Sequence, residues 1–404
     1  MTDAAKAEAA AEVKTWAQGQ ATPPKRVLIA ADKFKGSLTA VEVAERVTAG
    51  LRRGWSGGAD LLRIDALPVA DGGDGTVDAA VAAGFERREA RVTGPLGDPV
   101  TAAYALRDDG TAVVEMAEAS GLRHLPDGVF APLDATTYGS GELLRAALDA
   151  GARTIVFGVG GSATTDGGAG MLSALGARFL RADGTPVAPG GGALGELATA
   201  DLSGLDPRLG PVALVLASDV DNPLTGPKGA AAIYGPQKGA SEADVAALDA
   251  ALATYVRVLE RAVGARAAEY AAAPGAGAAG GIGFGALLGL GAVFRPGIDV
   301  MLDVLGFAAA LEGADLVITG EGSLDEQTLH GKAPAGVAAA ARARGIEVVA
   351  VCGRLALSPA ALGGAGIRRA YPLTDLEPDP ARCIAHAGPL LERAAERLAT
   401  DFLG

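Results

Sequence analysis

A glycine-rich segment at residues 158–170, GVGGSATTDGGAG, limits most strongly what this chain can fold into. It follows the apolar run 154–157 and leads into MLSALGARF, so the order predicts a strand, a tight polar loop and a helix. Glycine lets backbone N–H groups approach a ligand closely, and the N-terminus of a helix favours an anion such as phosphate. By itself the segment fits a phosphate site and a structural turn with Asp166 near the helix N-cap equally well.

Four other polar loops also follow apolar runs, and each carries side chains suited to an anionic ligand or a cation. They lie at residues 31–40 (ADKFKGSLTA), 71–76 (DGGDGT), 218–224 (SDVDNPL) and 319–334 (TGEGSLDEQTLHGKAP). In an open α/β sheet the carboxyl ends of the strands line the ligand crevice, so the five loops are expected to meet there. Lysines, glycine amides and carboxylates together provide the charge clamps, phosphate cradle, metal ligands and base that phosphoryl transfer requires.

The charge of the chain limits its partners. A net charge of −13 and the lack of any Lys/Arg run argue against a nucleic-acid partner, whereas a small anionic substrate needs only local positive charge. Lysine is rare, with eight in the chain, and four of them lie directly beside a glycine: Lys35, Lys228, Lys238 and Lys332. These lysines are therefore candidates for anion contacts, although an exposed turn explains Lys228 equally well.

A chain of 404 residues is long for one hydrophobic core, which predicts two domains. Strands and helices alternate at both ends of the chain, and a hairpin-like pattern occupies residues 88–104 between them. We therefore predict an α/β fold with two α/β domains. One is a doubly wound, Rossmann/flavodoxin-like and discontinuous domain of residues 25–70 and 296–404, and the other is an inserted mixed α/β domain of residues 71–295. Residues 1–24 are predicted to form an N-terminal tail, and two consecutive domains are the alternative organisation.

The sequence also predicts a cytoplasmic protein without a membrane partner. The two cysteines form neither a disulfide framework nor a metal-ligand spacing, and the N-terminal residues contain no apolar signal region. The uncharged stretch 271–294 contains many glycines and a proline, so buried helices are expected there. The oligomeric state is left open between a monomer and a homodimer.

Familiar nucleotide-binding motifs are mostly missing from the sequence. No G-x-x-x-x-G-K-[ST] pattern occurs, which argues against a P-loop enzyme. A formal G-x-G-x-x-G lies at 275–280, but it follows an Ala-rich helical stretch and Pro274 where the dinucleotide fingerprint requires a strand. The five loops are thus the stronger functional signal.

These loops, together with VTGPLGDPV and YGSGELLRAALDAG, closely resemble the bacterial glycerate kinase family, of the glycerate 2-kinase type. The resemblance runs in order over nearly the whole chain after Pro24. It implies ATP- and Mg²⁺-dependent phosphorylation of D-glycerate to 2-phosphoglycerate with release of ADP, and an active site in a cleft between two α/β domains. Ser323 stands where the family commonly has arginine, which puts one phosphate contact in doubt.

Within this resemblance, each candidate residue receives an expected role. Catalytic roles are predicted for Lys35, Asp71 and Asp74. Substrate contacts are predicted for Ser37, Lys33, Asp219, Asp221 and Asn222. Phosphate or nucleotide contacts are predicted for Gly160, Gly161, Ser162, Asp166, Gly320 and Lys332. Metal contacts are predicted for Glu321 and Asp325.

Some roles are open at this stage. Asp71 and Asp219 are each candidates for the base or for a metal ligand, and Asp166 either caps its loop or orders Mg²⁺. Rival functions are a glycerate 3-kinase, a kinase of another small hydroxy acid and, from a different class, a non-catalytic sensor of sugar acids.

Overall fold

The computed structural model describes residues 24–404, so the tail predicted at 1–24 lies outside the described residues except for Pro24. The strands are β1 Lys25–Ala31, β2 Leu62–Ala66, β3 Glu86–Thr93, β4 Pro99–Leu106, β5 Thr111–Glu115, β6 Thr154–Gly158, β7 Arg178–Leu180, β8 Thr199–Asp201, β9 Ala213–Ala217, β10 Val293–Arg295, β11 Leu316–Leu324, β12 Glu347–Leu355 and β13 Arg369–Pro372. The helices are α1 Ala40–Gly54, α2 Thr76–Ala82, α3 Ala117–Ser120, α4 Tyr138–Asp149, α5 Ala169–Ala174, α6 Ala230–Tyr234, α7 Glu242–Val263, α8 Arg266–Ala272, α9 Ala278–Leu290, α10 Gly297–Val304, α11 Phe307–Ala310, α12 Ala333–Arg342, α13 Pro359–Gly364, α14 Pro380–Ala385 and α15 Ala387–Phe402.

Both ends of the chain contribute to one parallel sheet, the terminal sheet, with the order β13-β12-β11-β1-β2. Counted within this sheet alone the order is 2-1-3-4-5, which is the flavodoxin-like arrangement predicted from the sequence. The register pairs Ala31, the last residue of β1, with Gly320 of β11, so the loop that leaves β1 begins beside the last residues of β11. The strand order reverses between β1 and β11, which is where doubly wound folds bind ligands.

The middle of the chain forms a six-stranded mixed sheet, the middle sheet, with the order β10-β9-β6-β5-β4-β3. Strands β10, β9, β6 and β5 are parallel, and β4 and β3 extend the sheet in antiparallel fashion. The alternating pattern at 88–104 predicts this hairpin. Gly158 at the end of β6 pairs with Ala217 at the end of β9, so the glycine-rich segment and the loop after β9 also leave the sheet side by side.

The outer face of the terminal sheet is covered by α1 and α15, which pack tightly against each other. A Cβ on Gly50 of α1 would collide with the carbonyl oxygen of Glu392 in α15, so only glycine permits this approach. Thr39 and Glu42 form a capping box at the start of α1, a motif that stabilises a helix by about 1 kcal/mol. The capping box fixes the end of the loop that follows β1.

The two sheets share one buried apolar cluster. It contains Leu28 of β1 and Val317 of β11 from the terminal sheet, together with Ala105 of β4 and Val156 of β6 from the middle sheet. Burial of such side chains, worth roughly 1.5–3 kcal/mol for each large one, holds the carboxyl ends of both sheets together. The domain boundaries near residues 70 and 296 stay a prediction.

The apolar stretch 271–294 forms the end of α8, helix α9 and the beginning of β10. Ala279, Gly280 and Gly281 have left-handed backbone angles and interrupt the first turn of α9. In the part of the chain that the structure describes, no helix is long and apolar enough to span a membrane.

Candidate functional site

The loop 71–76 and the two polar loops of the middle sheet lie against one another, and glycines make this approach possible. A Cβ on Gly160 would be 2.6 Å from the Cα of Gly73, and a Cβ on Gly72 would be 2.9 Å from the Cβ of Ala217 at the end of β9. Separations this short exclude a side chain. Glycine is therefore required for the loop 71–76 to pack between the glycine loop (residues 158–170) and the loop after β9.

The loops after β1 and β11 of the terminal sheet reach the same place. A Cβ on Gly322 would lie 3.4 Å from the backbone nitrogen of Lys35, so the loops after β1 and β11 are in contact. Gly331, with φ +96°, lies beside the Asp219 carboxyl group, where a Cβ would be 3.1 Å from Cγ. All five polar loops thus meet at the carboxyl ends of the strands.

A cavity of about 390 Å³ opens where these loops meet. Six of the predicted site residues line it: Lys35, Asp71, Gly160, Gly161, Ser162 and Asp219. The other polar side chains of the wall belong to Lys238, one of the lysines predicted as candidates for anion contacts, and to Ser218, Tyr234 and Gln237, for which the sequence predicts no role. The structure therefore brings together a lysine, two carboxylates and the glycine loop.

The carboxylates around the cavity influence one another. Asp219 accepts a hydrogen bond from the backbone N–H of Gly297 at 2.9 Å, yet desolvation, with the negative charges of Asp71 and Asp299, raises its pKa to about 6. Behind the cavity wall, burial and the charge of Asp71 raise the pKa of Asp32 to about 7. A carboxylate whose pKa lies near neutrality is suited to accept a proton at physiological pH.

The sequence predicts a catalytic role for Asp74 and a substrate contact for Lys33, but these side chains pair with each other outside the cavity wall. The Asp74 carboxylate lies 2.8 Å from Lys33 and 3.1 Å from Arg123, and Lys33 also donates to the Asp74 carbonyl oxygen. Desolvation alone would raise the pKa of Asp74, but the hydrogen bond and charge of Lys33, with the charge of Arg123, keep it below its usual value. A carboxylate held ionised in this way is a poor base, so Asp74 and Lys33 fix the shape of the loop.

Glu115 is a buried residue of the site that the sequence reasoning missed. It ends β5, and its Oε2 accepts hydrogen bonds from the backbone N–H groups of Gly75 at 3.1 Å and Val77 at 3.4 Å. These bonds anchor the loop 71–76 at the start of α2. Burial raises the pKa of Glu115 to about 7, although the nearby charge of Arg123 opposes this shift. A carboxylate at the end of an apolar strand is the signal that marks the other loops, and it was present here as well.

Replacing Glu115 by glutamine is expected to change how stability depends on pH. Because folding raises the pKa of Glu115 from 4.5 to about 7, the folded protein retains a proton between these pH values that the unfolded chain has lost. The free energy of unfolding of the unmodified protein therefore falls as pH rises through this window, and a glutamine does not titrate. When the pH is raised from 5 to 7.5, the unfolding free energy of the unmodified protein should therefore fall by about 2 kcal/mol more than that of Glu115→Gln.

Urea unfolding at the two pH values measures this difference. The exposed Glu89→Gln in β3 is the matched control, and it should follow the unmodified protein at both pH values. An unfolding free energy of Glu115→Gln that runs parallel to the unmodified protein would contradict the expected titration.

The residues predicted to bind metal, Glu321 and Asp325, are engaged within their own loop. Thr328 donates to Glu321 at 2.6 Å, and the Nζ of Lys332 lies 3.3 Å from the same carboxylate. Asp325 caps the short 3-10 turn at 326–329 by accepting from the N–H of Gln327 at 3.0 Å. Burial raises the pKa of Glu321, although Thr328 and Lys332 oppose the shift. These contacts hold the segment 319–334 together. None of its residues, including Glu321, Asp325 and Lys332, lines the cavity.

Asp166, predicted to contact phosphate or to cap its loop, lies behind the glycine loop. Its buried carboxylate accepts from the N–H of Thr137 at 2.8 Å, the hydroxyl of Thr137 at 2.9 Å, and the N–H groups of Gly168 at 3.1 Å and Gly170 at 3.2 Å. Burial raises its pKa, and these hydrogen bonds oppose the shift. The contacts agree with the capping alternative, in which Asp166 holds the loop in shape.

Ser37 and Gly320 form structural contacts, and their predicted ligand contacts stay predictions. The Ser37 hydroxyl donates to the carbonyl oxygen of Phe34 at 3.0 Å and closes the turn after β1. The carbonyl oxygen of Gly320 accepts from the N–H of Asp32 at 2.8 Å and continues the pairing of β11 with β1. Neither residue lines the cavity.

In the loop after β9, one of the predicted polar residues lines the cavity and another hydrogen-bonds within the protein. Asn222 donates to the carbonyl oxygen of Lys228 at 2.9 Å and accepts from the hydroxyl of Tyr234 at 2.5 Å, so it positions a wall residue. Asp221 is exposed and does not line the cavity. Of the three residues predicted here, only Asp219 faces the cavity.

A divalent cation fits the cavity beside Asp71. Among residues 24–404, no group of three or more His, Cys, Asp or Glu side chains is arranged to hold a metal ion by itself. Mg²⁺, however, is usually held by one or two carboxylates together with phosphates and waters. Desolvation is the main cause of the raised pKa of Asp219, and a cation beside Asp71 would offset the repulsion that adds to it, so Asp71 fits Mg²⁺ bound together with phosphate groups.

Comparisons with known proteins give a consistent result. The profile of the glycerate kinase family matches residues 27–403. A glycerate kinase of Bacillus subtilis (strain 168) is 46% identical over 379 residues, which cover 93% of this chain and 97% of that protein. A glycerate 2-kinase of Escherichia coli (strain K12) is 45% identical over 333 residues, which cover 82% of this chain and 85% of that protein. A crystal structure described as a glycerate kinase 2 of Salmonella typhimurium LT2 is similar with a TM-score of 0.80 and 41% identity, covering 94% of this chain and 98% of that one.

Proposed function

The chain belongs to the glycerate kinase family, whose members are phosphotransferases with an alcohol group as acceptor, and we propose that it uses ATP to phosphorylate D-glycerate at the 2-hydroxyl, releasing 2-phosphoglycerate and ADP. The observation that carries this proposal is the cavity at which Lys35, Asp71, Asp219 and the glycine loop meet. The name of the Escherichia coli relative, a glycerate 2-kinase, supports the choice of hydroxyl.

In the proposed reaction, Lys35 binds the glycerate carboxylate. The protein carries a net charge of −13, so an anionic substrate needs a dedicated cation, and a charge-assisted hydrogen bond provides both affinity and orientation. The exposed Lys35 lies in the cavity wall, where it is accessible to a ligand.

Asp219 acts as the general base. It takes the proton from the 2-hydroxyl as the hydroxyl oxygen attacks the γ-phosphorus of ATP, while the bond from that phosphorus to the bridging oxygen breaks and ADP leaves with the electron pair. Its pKa of about 6 makes it ionised at neutral pH and still basic enough to accept the proton.

The glycine loop holds the oxygens of the transferred phosphoryl group through backbone N–H groups and the Ser162 hydroxyl. Asp71 is the carboxylate that would hold Mg²⁺, and the ion would supply charge neutralisation on the ATP phosphates. ATP and Mg²⁺ are therefore the proposed cosubstrate and cofactor. A cytoplasmic location, the lack of nucleic-acid and membrane partners, and a monomeric or homodimeric state stay predictions.

The experiment that tests this proposal couples the purified protein to enolase. With ATP, Mg²⁺ and D-glycerate, phosphoenolpyruvate should form without a phosphoglycerate mutase, because enolase consumes 2-phosphoglycerate directly. Formation that depends on added mutase would instead show phosphorylation of the 3-hydroxyl. A lack of glycerate-dependent ADP release would contradict kinase activity on glycerate and favour another hydroxy acid or a sensor.

A further inference from the structure

Lys238 is a buried lysine in the wall of the cavity, and the proposed reaction gives it no role. Its side chain is 1% exposed, and its Nζ donates to the carbonyl oxygen of Thr164 in the glycine loop at 2.6 Å. An ammonium group has three N–H donors, and among the described residues Lys238 forms no ion pair with a carboxylate. A buried cation with so few partners is costly unless an anion joins it.

The groups around Lys238 favour an anion from the cavity side. Asp166 is the carboxylate whose charge opposes the effect of burial, but its oxygens are already occupied by Thr137 and the glycine loop. Tyr234, at the end of α6, is another titratable group of the same cavity wall. The same cavity is lined by the two carboxylates and the lysine of the proposed site: Asp71, Asp219 and Lys35.

The hydrogen-bonding groups next to Lys238 are also incompletely satisfied. The buried hydroxyl oxygens of Thr164 and Thr165, which follow Ser162 in the glycine loop, have no hydrogen-bond partner among the described residues. Gly160, Gly161 and Ser162 line the same cavity as Lys238. The glycine loop beside Lys238 therefore contains buried polar groups, just behind the cavity wall, that the described residues do not satisfy.

We propose that Lys238 binds the phosphoryl group that is transferred, as the buried cation that completes the phosphate cradle of Gly160, Gly161 and Ser162. The proposal rests on the proposed function, because that function identifies the phosphoryl group. It adds to that function by assigning a different anionic group to each of the two lysines of the cavity. Lys35 binds the carboxylate of the acceptor, whereas Lys238, beside the glycine loop, binds the phosphoryl group. Because burial lowers the pKa of Lys238 to about 7, Lys238 should also take up a proton when the phosphate anion binds above this pH.

Isothermal titration calorimetry with inorganic tripolyphosphate tests this proposal without requiring turnover. Titrations at pH 7.5 in two buffers with different ionisation enthalpies give both the affinity and the number of protons taken up. For Lys238→Met, binding should weaken about 10-fold or more and proton uptake should be lost, while D-glycerate binds as in the unmodified protein.

Lys238→Arg distinguishes the effect of the positive charge from the effect of proton uptake. Arginine is always protonated, so this variant should retain most of the tripolyphosphate affinity and lose the proton uptake. Lys228→Met is the matched control, because Lys228 is exposed, also precedes a glycine and lies outside the cavity wall. It should match the unmodified protein in both measurements.

Tripolyphosphate affinity that is unchanged in Lys238→Met would overturn the proposal. A parallel loss of tripolyphosphate and D-glycerate affinity, with a lowered Tm, would also overturn it by assigning Lys238 to the fold alone. If Lys238→Met does not fold, Lys238→Gln is measured in its place, and a tripolyphosphate affinity equal to that of the unmodified protein counts against the proposal. Lys238-dependent binding in a protein that fails the enolase assay would refute the proposed function while leaving this inference intact.

Discussion

Replacing Asp219 by asparagine is expected to lower kcat for D-glycerate by about 10²–10⁴-fold, because the amide cannot accept the proton of the substrate hydroxyl. Substrate affinity should change much less, since the amide oxygen still accepts the hydrogen bond from Gly297. In the unmodified enzyme, kcat/KM should fall as pH drops below about 6, where Asp219 becomes protonated. Steady-state kinetics across pH 5–8 measure both effects.

Asp221→Asn is the matched control for this experiment. It makes the same chemical change two residues away on an exposed side chain outside the cavity wall, so kcat and KM should stay close to those of the unmodified enzyme. Full activity in Asp219→Asn would assign the base to another group. A large loss of activity in Asp221→Asn would show that the Asp221 side chain also contributes to the site.

Replacing Lys35 by alanine is expected to reduce kcat/KM for D-glycerate about 10- to 100-fold, mainly through a higher KM. The expected loss corresponds to one charge-assisted hydrogen bond to the carboxylate, and such bonds contribute about 1.5–3 kcal/mol. KM for ATP should change little. Initial rates with each substrate varied in turn measure this difference.

Lys228→Ala removes a lysine from an exposed loop outside the cavity and should leave both KM values unchanged. If Lys35→Ala raises KM for ATP and leaves that for D-glycerate intact, the two lysines of the cavity have been assigned to the wrong anions. An unchanged rate with both substrates would exclude Lys35 from the site.

The positions of the five loops were predictable because parallel strands present their carboxyl ends at one edge of a sheet. The apolar run before Asp32 and the one before Gly320 predicted buried strands, and the doubly wound prediction made them neighbours, as the pairing of Ala31 with Gly320 confirms. The hydrophobic pattern and the rules of sheet topology were sufficient to predict which strands carry the loops and where these loops lie.

The direction of individual side chains within the loops was not predictable in the same way. Asp71 and Asp74 are separated only by two glycines, yet one lines the cavity and the other pairs with Lys33 and Arg123. The choice depends on partners 41 and 49 residues away in the chain and on positive φ angles at glycines within the loop. Local sequence does not contain that information.

The buried support of the site was hidden for the same reason. Asp166 looked like a ligand because it lies in a glycine-rich loop, but its partner Thr137 comes from the start of another helix, 29 residues earlier. Glu115 looked like an ordinary strand residue because the N–H groups it accepts belong to a loop about 40 residues before it. Long-range hydrogen bonds of this kind decide which carboxylates build the walls and which face the ligand.

The pairing of β1 with β11 also has a consequence for the order in which the chain folds during synthesis. When β1 and β2 leave the ribosome, they have only each other to pair with, and an isolated two-stranded unit is marginally stable at best. At 5–20 residues per second, β11 follows roughly 10–50 s later, by which time every strand of the middle sheet has been synthesised. The nascent chain must therefore keep the apolar strand β1 from aggregating while its middle folds, and the terminal sheet, whose loops carry Lys35 and Asp71, is completed last.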